Sequence, residues 1–245
     1  MAEFRFQPYW VTIETCGSPI KVYFATRETE RWLKEYLDVE NREMTFMRDK
    51  LLKPGSRAVE VGMHQGFSAS LIGTWIGPEG TLVTYDPVES NVEIARKNLD
   101  ANNLSNVIVK HKAVGEAAGR TFISNANSNA SVQNTRVFGT PVDLVPLDAD
   151  IEGPIDFLKI DVEGYELHVL RGAKRLLESR PNLAIEIHPG PIEEFGGKVE
   201  DLFSLIDTQA YDLFLQFGTV DEPQPYTLGT PIEQNAHLFG ARRAI

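Results

Sequence analysis

Apolar positions recur along this chain at two spacings, and the change from one arrangement to another divides it. Short apolar runs between 7 and 24 flank Cys16-Gly17-Ser18-Pro19, turn chemistry that predicts two short strands. Residues 27–51 are polar with scattered Trp32, Leu33, Tyr36, Leu37, Met44, Phe46 and Met47, a pattern that predicts one or two helices. From Lys53-Pro54-Gly55 onward, strands and helices alternate. Strands are predicted at 57–61, 81–85, 106–110, 155–160 and 183–187, with a turn at Gly77-Pro78-Glu79-Gly80. A helix is predicted at 66–75. Val88, Val92, Ala95 and Leu99 mark another at 88–102, and Leu167, Leu170, Ala173 and Leu177 mark a third. A helix at 199–206 and strands at 212–217 and 236–239 close the chain.

Strand–helix alternation with short links specifies an α/β fold, with a doubly wound, mostly parallel sheet covered on both faces. Ligands of such sheets bind at the carboxyl ends of the strands, near the point where strand order reverses. Functional residues are therefore expected just after 61, 85, 110, 160 and 187. Residues 51–245 read as one structural unit. Residues 1–50 read as a strand and helix extension that packs on this core and helps cover a site.

Composition narrows the class. At 245 residues and 42% hydrophobic content the chain can bury one full core. No apolar run approaches the roughly 18 residues of a membrane span, and the N-terminus lacks the pattern of a secretory signal. A lone cysteine, Cys16, excludes a disulfide framework and points to a reducing, cytoplasmic setting. The formal charge of −11, without a dense Lys/Arg run, argues against nucleic acid as a partner. Oligomeric state stays open, a homodimer included.

Three stretches carry chemistry. The first is Glu60-Val61-Gly62-Met63-His64-Gln65-Gly66. Its two glycines allow a sharp turn and close backbone approach, and its acid suits an ammonium group. It lacks the third glycine of the dinucleotide fingerprint. The second, Tyr85-Asp86-Pro87, puts a carboxylate at the end of the second core strand, where it can accept ribose hydroxyls or cap a helix. The third is Phe157-Leu158-Lys159-Ile160-Asp161-Val162-Glu163-Gly164-Tyr165-Glu166, followed by Val169-Leu170-Arg171-Gly172-Ala173.

This third stretch resembles the F-L-K-I-D-V-E-G-x-E string of FkbM-type S-adenosylmethionine-dependent methyltransferases. Ala184-Ile185-Glu186-Ile187-His188 is similar to the E-x-H ending of that family's next strand. Asn98 to Leu104 and Ala113-Val114-Gly115 resemble two more of its segments. The likeness covers roughly 50–190. It implies a seven-stranded, Rossmann-like class I methyltransferase sheet. It also implies S-adenosylmethionine as cofactor, S-adenosylhomocysteine as product, and transfer to a hydroxyl of a carbohydrate or small natural-product acceptor. Glu60, Gly62, His64, Gly66, Asp86 and Ala113 then fall at the cofactor, and Asp161, Glu186 and His188 at the chemistry. The family's usual D-V-G-A-N-x-G differs here at Glu60, Met63 and His64, and its usual second acid is Glu where this chain has Asp86.

His188 has the residue type suited to a base near neutrality, and Asp161 is the stronger positional candidate. A divalent metal on Asp161, Glu186 and His188 suits their donor types but is not favoured, because spacing alone decides little. His168 and His237 carry no expected role, His111 reads equally as the edge of an adenine pocket or as an exposed loop histidine, and Trp10, Trp32 and Trp75 read as packing residues. The Asn/Ser-rich stretch 124–135 is expected to be a substrate loop. The rivals are an NAD-dependent oxidoreductase, disfavoured by the missing glycine and the lack of an evident Tyr-x-x-x-Lys pair, and a non-enzymatic scaffold on a decayed methyltransferase fold.

Overall fold

The computed structural model describes residues 6–37, 40–124, 132–133 and 139–243. Most of the loop expected at 124–135 lies outside them. The chain opens with an antiparallel hairpin, β1 (Tyr9–Thr15) and β2 (Ser18–Phe24), turned by Cys16 and Gly17 at φ of 48° and 71°. Helices α1 (Arg27–Leu37) and α2 (Arg42–Phe46) follow, and α2 runs into a π-helical turn at Met47–Leu51. Asn41 caps α2 by accepting from the Met44 N–H at 2.8 Å.

The core begins with β3 (Arg57–Val61), α3 (Phe67–Ile76), β4 (Thr81–Asp86), α4 (Glu89–Ala101) and β5 (Val107–His111). Next come β6 (Ala113–Val114), β7 (Gly119–Ser124), β8 (Val132–Gln133) and β9 (Gly139–Val145). Then follow α5 (Leu147–Asp150), β10 (Phe157–Ile160), α6 (Glu166–Arg171), α7 (Lys174–Leu177) and β11 (Asn182–Ile187). The chain closes with α8 (Pro189–Glu194), α9 (Val199–Leu205), β12 (Tyr211–Gln216), β13 (Gln224–Pro225) and β14 (Ala236–Arg242).

The central sheet runs β13-β12-β14-β11-β10-β3-β4-β5. Its middle, β11-β10-β3-β4-β5, is parallel, and β12, β13 and β14 join antiparallel. The chain leaves β3 toward β4 and β5, then returns to the other side of β3 as β10, so strand order reverses between β3 and β10.

Three expectations need correcting. Among the described residues the sheet has eight strands instead of seven: Gln224–Pro225 pairs outside β12, as proline permits only at an edge. A second sheet, β6-β9-β7-β8, stands in a stretch where no strand was predicted, its partly exposed positions giving no clean alternation. The stripe Leu167–Leu177 is two helices broken at Gly172, where any Cβ would lie 2.1 Å from the Gly115 carbonyl oxygen.

The extension shares one apolar cluster with the core: Ile20, Val22, Phe24, Leu33, Met44 and Met47 pack with Leu71, Ile72, Ile76 and Leu82. Its free strand edge is satisfied by two asparagines one turn apart, Asn98 on α4 and Asn102 at the C-terminal cap of that helix. The N–H groups of Tyr23 and Lys21 donate to Oδ1 of Asn98 and Asn102 at 2.8 and 2.7 Å. Trp75 Nε1 donates to Ser18 Oγ at 3.0 Å. Trp10, expected to pack inside, is 40% exposed and lies against Tyr23, its ring centroid 5.0 Å away. The Trp32 side chain lies outside the described set.

Asp150 ties α5 to the sheet. It accepts from Lys110 at 2.6 Å, Lys112 at 2.8 Å and the Tyr85 hydroxyl at 2.7 Å. Burial alone would raise its carboxyl, but these three donors outweigh it and hold it at about 2, below the ordinary 3.8. A depressed carboxyl contributes stability that is complete above the unfolded value and lost as pH falls through the folded one. Asp150→Asn should therefore cost about 2 kcal/mol at neutral pH. Its urea-unfolding free energy should converge on wild type between pH 4 and 2; a pH-independent difference would contradict this.

Candidate active site

A cavity of about 350 Å³ lies over the carboxyl ends of the parallel strands, at the reversal between β3 and β10. Among the expected residues, Gly62, His64, Asp86, Ala113, Asp161, Glu186 and His188 line it. Glu60 and Gly66 do not. Glu60 is wholly buried behind the wall, accepting from Ser68 Oγ at 2.5 Å and Thr84 Oγ1 at 2.8 Å. Burial pushes its carboxyl up, opposed by Lys159. Gly66 starts α3 at φ 82°, and a Cβ there would stand 2.9 Å from Ala95 Cβ.

The glycines thus serve close approach within the protein. Gly62, at φ 91°, lies so near β10 that a Cβ would stand 1.7 Å from the Asp161 carbonyl oxygen. The loop after β3 and the loop after β10 are pressed backbone to backbone. Each also carries a non-glycine residue in the left-handed region, His64 at φ 51° and Glu163 at φ 53°. That conformation explains the substitution noted in the sequence: Asn and His both enter the left-handed region far more readily than most residues.

At the β4 end, Asp86 is 5% exposed. Its Oδ2 accepts from the His64 N–H at 2.9 Å, and its Oδ1 accepts from the Val88 N–H at 2.9 Å and from Asn91 Nδ2 at 3.2 Å. Burial lifts its carboxyl to about 7 against those donors, and lowers His64 to about 4, leaving the ring neutral at pH 7. Ala113 and Val114, both buried, and Pro87 and Val88 supply apolar wall beside it.

At the β10 and β11 end, the charges gather. Lys159, within the apolar run of β10, is buried, and its Nζ donates to Asp161 Oδ2 at 3.1 Å. Burial would lower this lysine, but Asp161, Glu60, Glu43 and Glu186 together hold it above its ordinary value. Burial and the Glu186 charge raise Asp161, opposed by Lys159. His188 Nδ1 donates to Glu166 Oε1 at 2.7 Å, and its Nε2 lies 3.5 Å from both Glu186 and Glu163. Although burial favours the neutral ring, Glu166 and Glu186 raise His188 to about 11. Glu186, which burial would raise, is held at about 2 by His188, His237 and Lys159. This corrects the expectation for His188: clamped as an imidazolium, it is not a base near neutrality.

Asp161, Glu186 and His188 each bring one ligand atom within 4.8 Å of the others. The donor types suit a divalent cation. Against it, the Lys159 ammonium already sits on Asp161, and both other groups belong to the His188 ion-pair network.

Sequence reasoning missed Glu43 and Met44 of α2, Lys112, Tyr165 and Asn235, all on the cavity wall. It left Lys159 without a role, although a lysine inside an apolar strand is itself a signal. Tyr165 stacks on His168 at 4.1 Å with Phe195 edge-on at 5.2 Å, giving the cavity an aromatic flank. His237 lies 3.6 Å from buried Glu43, and His111 Nε2 lies 3.0 Å from the Pro87 carbonyl.

A doubly wound sheet of this order, with the cavity at its reversal, defines the class I, Rossmann-like methyltransferase architecture. The methyltransferase FkbM domain model matches residues 60–213, more than half of the chain, and the chain belongs to that family. Its fold is similar to that of the methyltransferase FkbM from Methylobacillus flagellatus KT. The TM-score is 0.55 at 21% identity, over 84% of this chain and 50% of that one. It is also similar to a putative rRNA-methylase from Clostridium thermocellum, at TM-score 0.53 and 13% identity, over 84% and 98% of the two chains. At such identities the likeness is one of fold. Among curated proteins, a 60-residue stretch is 38% identical to the protein-L-isoaspartate O-methyltransferase of Methanothermobacter thermautotrophicus (24% of this chain, 28% of that protein). A 62-residue stretch is 44% identical to the tRNA (adenine(58)-N(1))-methyltransferase catalytic subunit trmt61a of Dictyostelium discoideum (25% and 20%). The chain therefore spans less than a third of these curated relatives.

If the left-handed geometry governs position 64, His64→Asn should unfold in urea within about 0.5 kcal/mol of wild type. The β-branched His64→Val should lose about 1–2 kcal/mol more. Equal stability of the two variants would contradict the reading.

Proposed function

We propose that this chain transfers the methyl group of S-adenosylmethionine to a hydroxyl oxygen on a carbohydrate-like or small natural-product acceptor. The observation that supports it is a single cavity joining Asp86, beside the Gly62–His64 loop, to Asp161, beside Lys159. Asp86 keeps acceptor capacity on Oδ2 for ribose hydroxyls, since that oxygen takes one donor of its two sites. Ala113, Val88 and Val114 give the apolar wall an adenine ring needs. Gly62 and His64 set the path of the loop, and Glu60 anchors it from behind. The formal charge of −11 favours a small acceptor over nucleic acid.

The bound sulfonium supplies an electrophilic methyl carbon. Transfer to the acceptor oxygen would break the carbon–sulfur bond and return its electron pair to sulfur, with S-adenosylhomocysteine as the product. Asp161 receives the hydroxyl proton. Burial and Glu186 raise its carboxyl, which makes it a stronger base than an ordinary aspartate. Lys159 fixes that carboxylate in place and supplies positive charge beside it. His188, charged and held by Glu166, orients Glu186 and closes the floor. Alignment of nucleophile and methyl carbon supplies much of the rate.

Calorimetric titration tests the class. S-adenosylmethionine and S-adenosylhomocysteine should bind at about micromolar Kd, on the order of −8 kcal/mol, and NAD should not. NAD binding alone would establish the oxidoreductase instead, and binding of none would leave a scaffold. With a working acceptor, Asp161→Asn should lower kcat about 10²–10⁴-fold while cofactor Kd stays within about twofold. An unchanged kcat would remove Asp161 from the chemistry.

Lys159 also bears on metal. With its ammonium already on Asp161, turnover is expected to survive exhaustive dialysis against EDTA. Loss of activity restored by Mg²⁺ would instead place a cation on Asp161, Glu186 and His188.

A further inference from the structure

The half of the cavity under β10, β11 and β14 differs in charge from the half under β3, β4 and β5. Four carboxylates line it, Glu43, Asp161, Glu163 and Glu186, against two cationic side chains, Lys159 and His188. Both cations have close partners: Lys159 is on Asp161 at 3.1 Å, and His188 is on Glu166, behind the wall, at 2.7 Å. Glu43 is served less well. The nearest nitrogen across from Glu43 is His237 Nδ1 at 3.6 Å, and Glu186 lies 3.5 Å from His188 Nε2. Charge-assisted hydrogen bonds are about 2.7–2.9 Å. Glu43 is nevertheless only 5% exposed, and a carboxyl buried without a strong donor is costly unless something completes it.

The position of these groups in the chain matters as well. Glu43 and Met44 come from α2, and Asn235 from the approach to β14, so all three wall residues lie outside the 60–213 stretch shared with the family. This half of the cavity is completed by segments outside that matched stretch.

We infer that this half is an acceptor subsite for a protonated amine, and that the acceptor is an amino sugar or amino alcohol methylated on a neighbouring hydroxyl. Its ammonium sits between Glu43 and Glu186, and the hydroxyl faces Asp161. An acidic acceptor meets four carboxylates and is excluded, and a neutral polyol binds without the ion pair. This rests on the methyl-transfer reading, which assigns the other half to the cofactor. Burial raises Glu43, as it does any carboxyl taken out of water without a close cation.

The test uses the full chain saturated with S-adenosylhomocysteine and three sugars of one skeleton: glucosamine, glucose and glucuronate. Calorimetry should rank glucosamine about tenfold or more tighter than glucose, with glucuronate weakest. In Glu43→Gln, confirmed folded by its thermal melt, glucosamine should fall to within about twofold of glucose while S-adenosylhomocysteine binds as in wild type. Glucose equal to or tighter than glucosamine, glucuronate tightest, or no measurable sugar binding overturns the subsite and leaves the cofactor reading standing. Failure of S-adenosylhomocysteine to bind overturns both. Should Glu43→Gln not fold, the wild-type ranking alone decides.

Discussion

One buried ammonium organises the carboxyl edge of this sheet. Lys159 stands in the middle of a central parallel strand, where water cannot solvate it, and the carboxylates of Glu43, Glu60, Asp161 and Glu186 compensate for that loss. They arrive from α2, β3, the loop after β10, and β11, so one charge connects the N-terminal extension, the two innermost strands and the outer half of the cavity. Removing one partner from a buried ionic cluster commonly costs about 3–5 kcal/mol, because the others are left uncompensated. The cluster also sets each member's chemistry. Asp161 stays a raised carboxyl, Glu186 a firmly ionised one, and His188, held by Glu166, a permanent cation.

Much of the scaffold was legible in the primary structure because its signals are local. The strands at 57–61, 81–86, 157–160 and 182–187 are short apolar runs bounded by turn residues, and α4 carries an unbroken stripe at helical spacing. What escaped depends on distant partners. β13 is two residues, one of them proline, and exists only because β12 offers it an edge. Glycine at 172, beside the break, is required by the carbonyl of Gly115, 57 positions away in the chain, which leaves no room for a Cβ. No periodicity in residues 166–177 announces that contact.

The site divides the same way. Asp86, Asp161, Glu186 and His188 could be named because strand ends predict where chemistry collects, and the cavity touches all four. Their roles were less legible. A histidine type suggests a neutral base, but Glu166 and Glu186 reverse that at His188, and nothing in Ile187-His188-Pro189 reveals that Glu163 and Glu166 lie beside it. Glu60 was assigned to the ligand from its place in a motif, yet its hydroxyl partners Ser68 and Thr84 draw it behind the wall. Glu43 had no signal of its own: an acid in a short helix far upstream is ordinary until α2 docks beside β14.

The contact between Gly62 and the Asp161 carbonyl has a mechanical consequence. Two loops that touch backbone to backbone, with no side chain between them, form a joint without slack. Neither can shift by even a fraction of an ångström unless the other follows. A displacement that tightens the grip of the first loop on one ligand is transmitted to the carboxylate facing the second. On the methyl-transfer proposal, this contact would couple affinity at one end of the cavity to alignment at the other.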